Sequence, residues 1–254
     1  MATGRALTLV VGPRAAGPPR RGPARRAVAP TVQRVFDDDA PVPPAVEGAV
    51  WVIVVAAGRG ERFGSAKQYE ELAGRRVVDW SIDAARSVAD GVVLVVPPEA
   101  EAAIEPAVEA VVAGGETRSA SVRAGLDAVP DDATVILVHD AARPVASRSL
   151  FRSVVDAVVA GADVVVPTVA VVDTVRRRDG EPVDRDELAA VQTPQGFAAG
   201  ALRTAHRGTP EATDDASLVE AMGGRLRIVQ GERWNLKITE PDDLLVAAAL
   251  LERR

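Results

Sequence analysis

The chain has 254 residues, enough for one domain or two small ones, and 47% of them are hydrophobic while only 3% are aromatic. Aliphatic side chains must therefore form most of the core. The absence of cysteine excludes disulfides, thiolate metal sites and cysteine nucleophiles, and two histidines are too few for a histidine-rich metal centre. The longest apolar runs fall far short of the about 20 residues that a membrane-spanning helix needs, so we expect a cytoplasmic protein without a membrane partner.

Charge is distributed unevenly along the chain. The net charge is −6, yet the first 35 residues carry seven arginines and no acidic residue, which leaves −13 on the remainder. A body this acidic does not offer a broad surface to nucleic acid, and we expect no nucleic-acid partner. If the protein binds an anionic ligand, a few individual cations have to hold it.

Residues 1–46 differ in composition from the rest of the chain. They contain eight of the 18 prolines, paired arginines and little hydrophobic periodicity, which predicts a disordered leader before a folded domain of residues 47–254. The composition is also compatible with a transit peptide, a twin-arginine signal or a basic arm for nucleic acid. However, no serine precedes Ser65, and no apolar segment follows the arginine pairs. A solvated extension, or a start codon placed too early, is the favoured interpretation.

From Glu47 onward, predicted strands and helices alternate. Short apolar, β-branched runs predict buried strands, and the segments between them predict helices. We expect strands at Val50–Ala57, Val92–Val96, Thr134–His139 and Val164–Pro167, and helices at Val77–Ala89, Glu99–Val112, Thr117–Ala128 and Ser149–Ala160. This alternation is typical of an α/β fold with a mostly parallel sheet, in which ligands bind beyond the carboxyl ends of the strands.

Residues 170–193 interrupt this alternation. A strand-like stretch through Asp173 and Thr174 is followed by three arginines and by Asp179-Gly180, a hairpin turn signal, and the chain then returns through residues 182–192. An arm of this length has little core of its own, so we expect it to pack on another surface. That surface is either a second subunit or the arm's own domain.

The first predicted strand ends in a glycine-rich loop, residues 56–68, with the sequence AAGRGERFGSAKQ. Gly58 and Gly60 allow backbone N–H groups to approach a phosphate closely. The spacing also resembles a dinucleotide-binding turn, which would indicate an NADP-dependent oxidoreductase. Two observations speak against that alternative. Arg62 and Lys67 lie within the loop, and no acidic residue closes the second strand to hold a ribose.

The chain uses arginine for nearly all of its basic residues. Of 30 basic residues, 28 are arginine, and the two exceptions are Lys67 and Lys237. Lysine carries a compact, mobile charge whereas the guanidinium group is a planar fork, so the two do not replace each other on a transferring phosphoryl group. Both lysines fall in polar motifs at predicted strand ends, which favours a function for them. Shortly after Lys237, Thr239 is predicted to cap a helix.

Six motifs occur in order along the chain: the loop of residues 56–68, GGETRSASVRAGL at 114–126, VHDAARP at 138–144, VQTPQGF at 191–197, TDDAS at 213–217 and NLKIT at 235–239. Together they resemble the 2-C-methyl-D-erythritol 4-phosphate cytidylyltransferase family over about residues 49–254. The resemblance implies a Rossmann-like nucleotidyltransferase (GT-A-like) domain whose protruding β-arm is exchanged in a homodimer. It also implies transfer of CMP from CTP to 2-C-methyl-D-erythritol 4-phosphate with Mg²⁺, a step of non-mevalonate isoprenoid biosynthesis that yields pyrophosphate.

The resemblance also implies a role for individual residues. The catalytic residues would be Arg62, Lys67 and Lys237, which would stabilise the transition state and the departing pyrophosphate. The CTP-binding residues would be Ala56, Ala57, Gly58, Gly60, Gly115, Glu116, Ser121 and Asp140. The acceptor phosphate sugar would meet Arg143, Asp173, Thr174, Arg185 and Thr193, with Arg185 acting across the dimer. The metal ligands stay unknown: Asp140 is possible, and CTP phosphates would hold most of the Mg²⁺.

Several of these side chains also have simpler interpretations. Asp140 with Arg143 could form a plain ion pair at a strand end, and Arg176–Arg178 a solvated charged face. We expect His139 to be a hydrogen-bonded core histidine, His206 to lie on a surface helix, and Asp214-Asp215 to begin a helix. No catalytic role is assigned to these histidines or to this pair of aspartates.

The sequence departs from the common family pattern at one point, the segment between Arg62 and Lys67, which is shorter and has Ala66 in place of a proline. Ribitol-5-phosphate cytidylyltransferase is the nearest rival activity, but a Gly-Gly pair is usual there where this chain has Ala56-Ala57. A dimer-forming binding protein without activity is a further alternative. The presence of both lysines speaks against it.

Overall fold

The computed structural model describes residues 48–58, 60, 63–100, 105 and 107–253. The predicted leader, residues 1–46, lies outside them. The strands are β1 (Ala49–Val55), β2 (Glu71–Leu72), β3 (Arg75–Arg76), β4 (Gly91–Val96), β5 (Ala110–Ala113), β6 (Ala133–Asp140), β7 (Val164–Ala170), β8 (Val175–Arg176), β9 (Pro182–Val183), β10 (Ala189–Val191), β11 (Gln195–Ala198) and β12 (Leu226–Gln230). The helices are α1 (Val77–Arg86), α2 (Arg118–Ala128), α3 (Arg148–Val159), α4 (Ala199–Ala205), α5 (Asp215–Ala221) and α6 (Asp242–Leu251).

One mostly parallel sheet organises the domain. Its strand order is β10-β7-β11-β6-β1-β4-β5, and β12 runs parallel to β7. The neighbours β6, β1, β4 and β5 are all parallel, whereas β11 runs antiparallel to both β6 and β7. Because β1 and β6 are parallel and Val55 pairs with Asp140, the two strands end at the same edge of the sheet. The predicted mostly parallel α/β sheet is thus confirmed.

Helices cover both faces of this sheet. Along β1 successive side chains point to opposite faces. Val52 and Val54 pack in a cluster with α1 and α3, whereas Ile53 packs in a second cluster with α2, α4 and α5. All three are fully buried. A strand that is buried on both faces needs apolar residues at every position, which explains the unbroken run in the sequence.

A third, smaller cluster fixes the C-terminal segment to the domain. Ile238 and Ala247, both fully buried, pack there with Leu72, Val77 and Val145. The backbone N–H of Ile238 also donates to the carbonyl of Ala142, at 2.8 Å. The residues on either side of Ile238 are therefore held next to the end of β6.

Two local predictions are wrong. The helix predicted at residues 99–112 is replaced by a short 3₁₀ turn, Pro98–Ala100, and by β5, which extends the sheet beside β4. Thr239 is not the cap of α6, since the helix begins at Asp242 after Pro241. The Thr239 hydroxyl instead donates to the carboxylate of Asp243, at 2.9 Å, and this carboxylate also accepts the Thr239 backbone N–H at 2.6 Å.

The predicted arm is present as an exposed, mostly two-stranded element. β8 and β9 pair antiparallel around the Asp179-Gly180 turn, and β10 then returns to pair with the end of β7. Val172, Leu188 and Val191 are exposed apolar side chains on this segment. No helix among the described residues is both long enough and apolar enough to cross a bilayer.

Gly125, in α2, shows how tightly this helix packs on the sheet. A Cβ there would lie 2.6 Å from Ile53 and 3.1 Å from Val95, both of them core side chains. We expect Gly125→Ala to lower the free energy of unfolding by about 1–3 kcal/mol, despite the higher helix propensity of alanine. Urea unfolding measures this change.

Gly200, in α4, provides the matched control, because no atom lies within 4 Å of a Cβ added there. Gly200→Ala should be neutral or stabilising by up to about 1 kcal/mol. Equal effects of the two substitutions would show that α2 does not approach β1 and β4 as closely as described.

Candidate functional site

A cavity of about 800 Å³ lies beyond the carboxyl ends of β1 and β6. The site residues predicted for CTP all line it: Ala56, Ala57, Gly58, Gly60, Gly115, Glu116, Ser121 and Asp140. Both lysines line it as well. Arg62 lies outside the described residues. The cavity occupies the place where an open α/β sheet binds its ligands.

The glycine-rich loop forms one wall of the cavity. Gly60 has a φ of +64°, and a Cβ there would collide with the carbonyl oxygen of Ser65. Only glycine fits this position without strain. The Gln68 side-chain amide donates to the carbonyl of Gly58 at 3.3 Å and so connects the two ends of the loop.

The opposite wall is formed by the segment that leads into α2. The side chain of Thr117 caps this helix by accepting the backbone N–H of Ala120, at 3.0 Å. The Ser121 hydroxyl donates to the Thr117 carbonyl at 2.9 Å, and Gly115 and Glu116 precede the cap. The N-terminus of an 11-residue helix therefore faces the cavity, where its dipole favours an anionic ligand.

The two lysines meet at this cavity from distant parts of the sequence. The Lys67 ammonium donates to the carbonyl of Ile238 at 2.5 Å, and the Lys237 ammonium donates to a carboxylate oxygen of Asp140 at 2.6 Å. Because Ile238 directly follows Lys237, one buried segment orients both amines. The sequence-based inference that these two residues act together is consistent with this geometry.

Asp140, at the end of β6, is buried and carries its charge between cations. One carboxylate oxygen accepts from Lys237, and the other lies 3.4 Å from Nε of Arg118. Burial alone would raise the pKa of Asp140, but the charges of Arg118 and Lys237 outweigh it and hold this pKa well below its usual range. Asp140 is therefore a carboxylate at any pH near neutrality.

Arg143 does not form the ion pair with Asp140 that the sequence left open. Its guanidinium group donates to the carbonyl of Asn235 at 2.7 Å and to that of Val191 at 3.4 Å. Burial lowers the pKa of Arg143, and the nearby charge of Asp140 opposes this shift. Arg143 thus links the segment before Lys237 to the base of the arm.

His139 is a core histidine, as predicted. It is fully buried against Phe151, with ring centroids 4.8 Å apart, and its Nδ1 lies 3.2 Å from the hydroxyl of Thr193. Burial lowers the pKa of His139 to about 3, so its ring is neutral near pH 7. The Thr193 hydroxyl also accepts the backbone N–H of Asp140, at 3.0 Å.

The arm residues predicted to bind the acceptor do not line the cavity of their own chain. Asp173, Thr174 and Arg185 are exposed. Nη1 of Arg185 donates to the carbonyl of Val172 at 2.5 Å, within the arm itself. Arg176–Arg178 are not buried either, in agreement with the prediction of a solvated face.

His206 is not on the surface, contrary to the sequence-based expectation. It is buried, and its Nε2 lies 3.1 Å from the carboxylate of Asp215, which is fully buried. Asp215 also accepts from Arg118 at 2.6 Å. Its neighbour Asp214 caps α5, so the prediction that the two aspartates begin a helix is confirmed.

Sequence reasoning missed some residues that line the cavity, among them Phe63, Gln68, Thr117 and Arg118. Arg118 is the important omission, because it contacts Asp140 and Asp215. In a chain with 28 arginines, the residue type carries little signal. Its position at the start of a helix that follows a strand could have singled it out.

The donor set bears on the expected Mg²⁺. The described residues contain no group of three or more His, Asp or Glu side chains able to hold a metal ion. Asp140 and Glu116 are the carboxylates that line the cavity. Mg²⁺ commonly takes one or two carboxylates and completes its coordination with substrate phosphates and water. The residues present therefore fit a cation that arrives with a triphosphate.

Comparisons with known proteins give a consistent result. Residues 50–253 match the family described as 2-C-methyl-D-erythritol 4-phosphate cytidylyltransferase. Two relatives of that name, from Nocardia farcinica and Rhodococcus jostii, are 44% and 43% identical, over 82% and 81% of this chain and 96% of each relative.

Solved structures agree with the sequence relatives. The crystal structure of this cytidylyltransferase from Thermus thermophilus has a TM-score of 0.70 and 36% identity, covering 81% of this chain and 99% of that one. The 4-diphosphocytidyl-2C-methyl-D-erythritol synthase of Anaerococcus prevotii has a TM-score of 0.70 at 29% identity, with the same coverage. The chain therefore belongs to the 2-C-methyl-D-erythritol 4-phosphate cytidylyltransferase family.

Proposed function

We propose that this protein transfers CMP from CTP to 2-C-methyl-D-erythritol 4-phosphate, giving CDP-methylerythritol and pyrophosphate in non-mevalonate isoprenoid biosynthesis. The observation that carries the proposal is the convergence of the chain's two lysines on one cavity that the nucleotide-binding segments line. Membership of the family supports the same reaction. The proposed site works in the cytoplasm.

In this reaction a phosphate oxygen of the acceptor attacks the α-phosphorus of CTP. The new phosphorus–oxygen bond forms as the bond to the β-phosphate oxygen breaks, and pyrophosphate departs. A phosphate monoester has a second pKa of about 6 and is largely dianionic at neutral pH, so the attack needs no general base. Catalysis then consists of positioning the reactants in line and neutralising charge.

The two lysines and Arg62 supply the neutralising charge in this proposal. Lys237 is held by Asp140, and Lys67 by the Ile238 carbonyl, so both amines are oriented before substrate arrives. Such preorganised cations stabilise the negative charge that develops on the phosphates in the transition state. Arg62 lies in the same glycine-rich loop, and its part rests on the sequence motif.

CTP is proposed to occupy the cavity between the glycine-rich loop and the start of α2. Backbone groups of residues 56–60 and 115–116 would hold the nucleotide, and the α2 N-terminus favours its negative charge. Mg²⁺ bound through the triphosphate would screen the phosphate charges, and Asp140 and Glu116 are the carboxylates within reach of the cavity. Asp140 would also lie next to the ribose.

The acceptor is proposed to bind between this cavity and the arm of a second subunit. Asp173, Thr174 and Arg185 are exposed on the arm, next to the apolar side chain of Val172, which is 59% exposed. An exposed apolar group beside polar residues is typical of an interaction surface. Arg143 and the buried Thr193 would complete the acceptor site by holding the segments around Asp140.

The first test compares two acceptors in a pyrophosphate-release assay with CTP and Mg²⁺. We expect 2-C-methyl-D-erythritol 4-phosphate to be used at least about 100-fold more efficiently than ribitol 5-phosphate, judged by kcat/KM, because a site built to pair with polar groups discriminates strongly. Preference for ribitol 5-phosphate would contradict the proposed substrate while leaving the reaction type intact. Release without either acceptor would contradict both.

Replacing Lys237 by alanine tests the proposed catalytic charge. We expect Lys237→Ala to lower kcat by about 10²–10³-fold, since one preorganised transition-state contact is lost. Arg207→Ala is the control, because Arg207 is also a single exposed cation but does not line the cavity. Nearly unchanged turnover in Lys237→Ala would remove Lys237 from the mechanism.

The homodimer can be tested by subunit complementation. If Arg185 serves the partner's site, a mixed dimer of Arg185→Ala and Lys237→Ala subunits contains one intact site. After random subunit exchange we expect recovery of about one quarter of the wild-type activity from two variants that are each nearly inactive. No recovery, together with a monomeric mass in sedimentation, would show that the arm acts within its own chain.

A further inference from the structure

A row of alternating charges leads from the cavity into the domain. It begins with Lys237 and Asp140, 2.6 Å apart, and continues with Arg118, whose Nε lies 3.4 Å from Asp140. Nη1 of Arg118 then donates to Asp215 at 2.6 Å, and Nε2 of His206 lies 3.1 Å from the other oxygen of that carboxylate. The proposed reaction uses the first two members and leaves the inner ones without a role.

The inner members cannot touch a ligand in the cavity. Asp215 is 0% exposed and His206 is 6% exposed, and neither lines the cavity, whereas Arg118 does. A buried carboxylate is expensive unless it is paired and hydrogen-bonded, and Asp215 meets that requirement through Arg118 and His206. Asp215 can therefore affect the cavity only through the guanidinium group that it binds.

The two contacts of Arg118 are unequal. The short contact goes to Asp215 and the long one to Asp140, so Asp215 draws the end of the guanidinium group away from the cavity. A guanidinium group matches a carboxylate as a two-pronged donor. Without the charge on Asp215, Asp140 would be the carboxylate left to Arg118, which would then compete with Lys237 for it.

We propose that Asp215 is a positioning residue for phosphoryl transfer: it holds Arg118 back from Asp140, and Asp140 thereby remains the partner that orients the Lys237 amine. This inference rests on the proposed function, in which Lys237 acts on the phosphates. His206 fixes the carboxylate of Asp215 from the other side.

The scarcity of lysine makes a direct test possible. Protein labelled with ¹³C at the lysine ε-carbon gives two side-chain NMR signals, one from Lys67 and one from Lys237, and Lys67→Arg assigns them. In Asp215→Asn we expect the Lys237 signal to shift and the Lys67 signal to stay in place. An unmoved Lys237 signal in folded Asp215→Asn would overturn the proposal.

Asp214→Asn is the matched control. It removes the same charge one residue away, and asparagine retains the capping acceptor that Asp214 offers to the N–H of Ser217. Asp214 has no contact with Arg118 among the described hydrogen bonds and ion pairs. We expect both lysine signals to be unchanged in this variant, and an equal shift in both variants would overturn the proposal.

Turnover gives the second measurement. We expect Asp215→Asn to lower kcat about tenfold while the KM for CTP changes less than about threefold, because a contact made in the transition state is misplaced and nucleotide binding is retained. A merely structural Asp215 would lower the melting temperature but leave kcat per folded molecule unchanged. That outcome contradicts the inference.

His206→Asn covers the case in which Asp215→Asn does not fold. The shorter amide leaves Asp215 in place but removes the contact to its outer oxygen, so we expect the same Lys237 shift with smaller amplitude. No shift in folded His206→Asn would then decide against the proposal. A wild-type protein that releases no pyrophosphate defeats the proposed function instead, and the NMR comparison still determines whether Asp215 positions Lys237.

Discussion

The neutralisation of one buried carboxylate organises this site. Asp140 ends a central strand of the sheet, where burial would make an unpaired charge costly by several kcal/mol. Separate parts of the chain supply its partners: Lys237 from the C-terminal segment, Arg118 from the start of α2, and the Thr193 hydroxyl on its backbone N–H. Satisfying Asp140 therefore brings together segments that are almost 100 residues apart.

The same constraint leaves the cavity in need of an anion. Asp140 offsets the charge of Lys237, while Lys67 is oriented by the carbonyl of Ile238, which carries no net charge. The helix N-terminus at Thr117 adds a partial positive charge on the opposite wall. A triphosphate would complete this balance, which explains how a protein with a net charge of −6 can bind a highly charged nucleotide.

The architecture could be predicted from the sequence where several signals agreed. The run of apolar residues in β1 and the capped helix α2 are examples, since both local pattern and burial favour the same structure. Glu99–Val112 shows the opposite case. Its alanine and glutamate content favours a helix, but residues 110–113 pair with β4, and this tertiary contact outweighs the local preference.

The candidate site was predictable to the extent that residue type was informative. The two lysines stood out because the chain otherwise uses arginine. Arg118 did not stand out for the same reason, and the partner of Asp140 was therefore assigned to Arg143. The buried pair of His206 and Asp215 depends on the packing of α4 against α5, which no short motif encodes.

The use of arginine nearly everywhere else has a practical consequence for handling the protein. Reagents that couple to primary amines find two side chains in the entire sequence, and both line the cavity. Attachment to a surface by amine coupling would therefore either go through the α-amino group or occupy the nucleotide site itself. Conversely, protection of these amines by a bound nucleotide would report on site occupancy without any measurement of product.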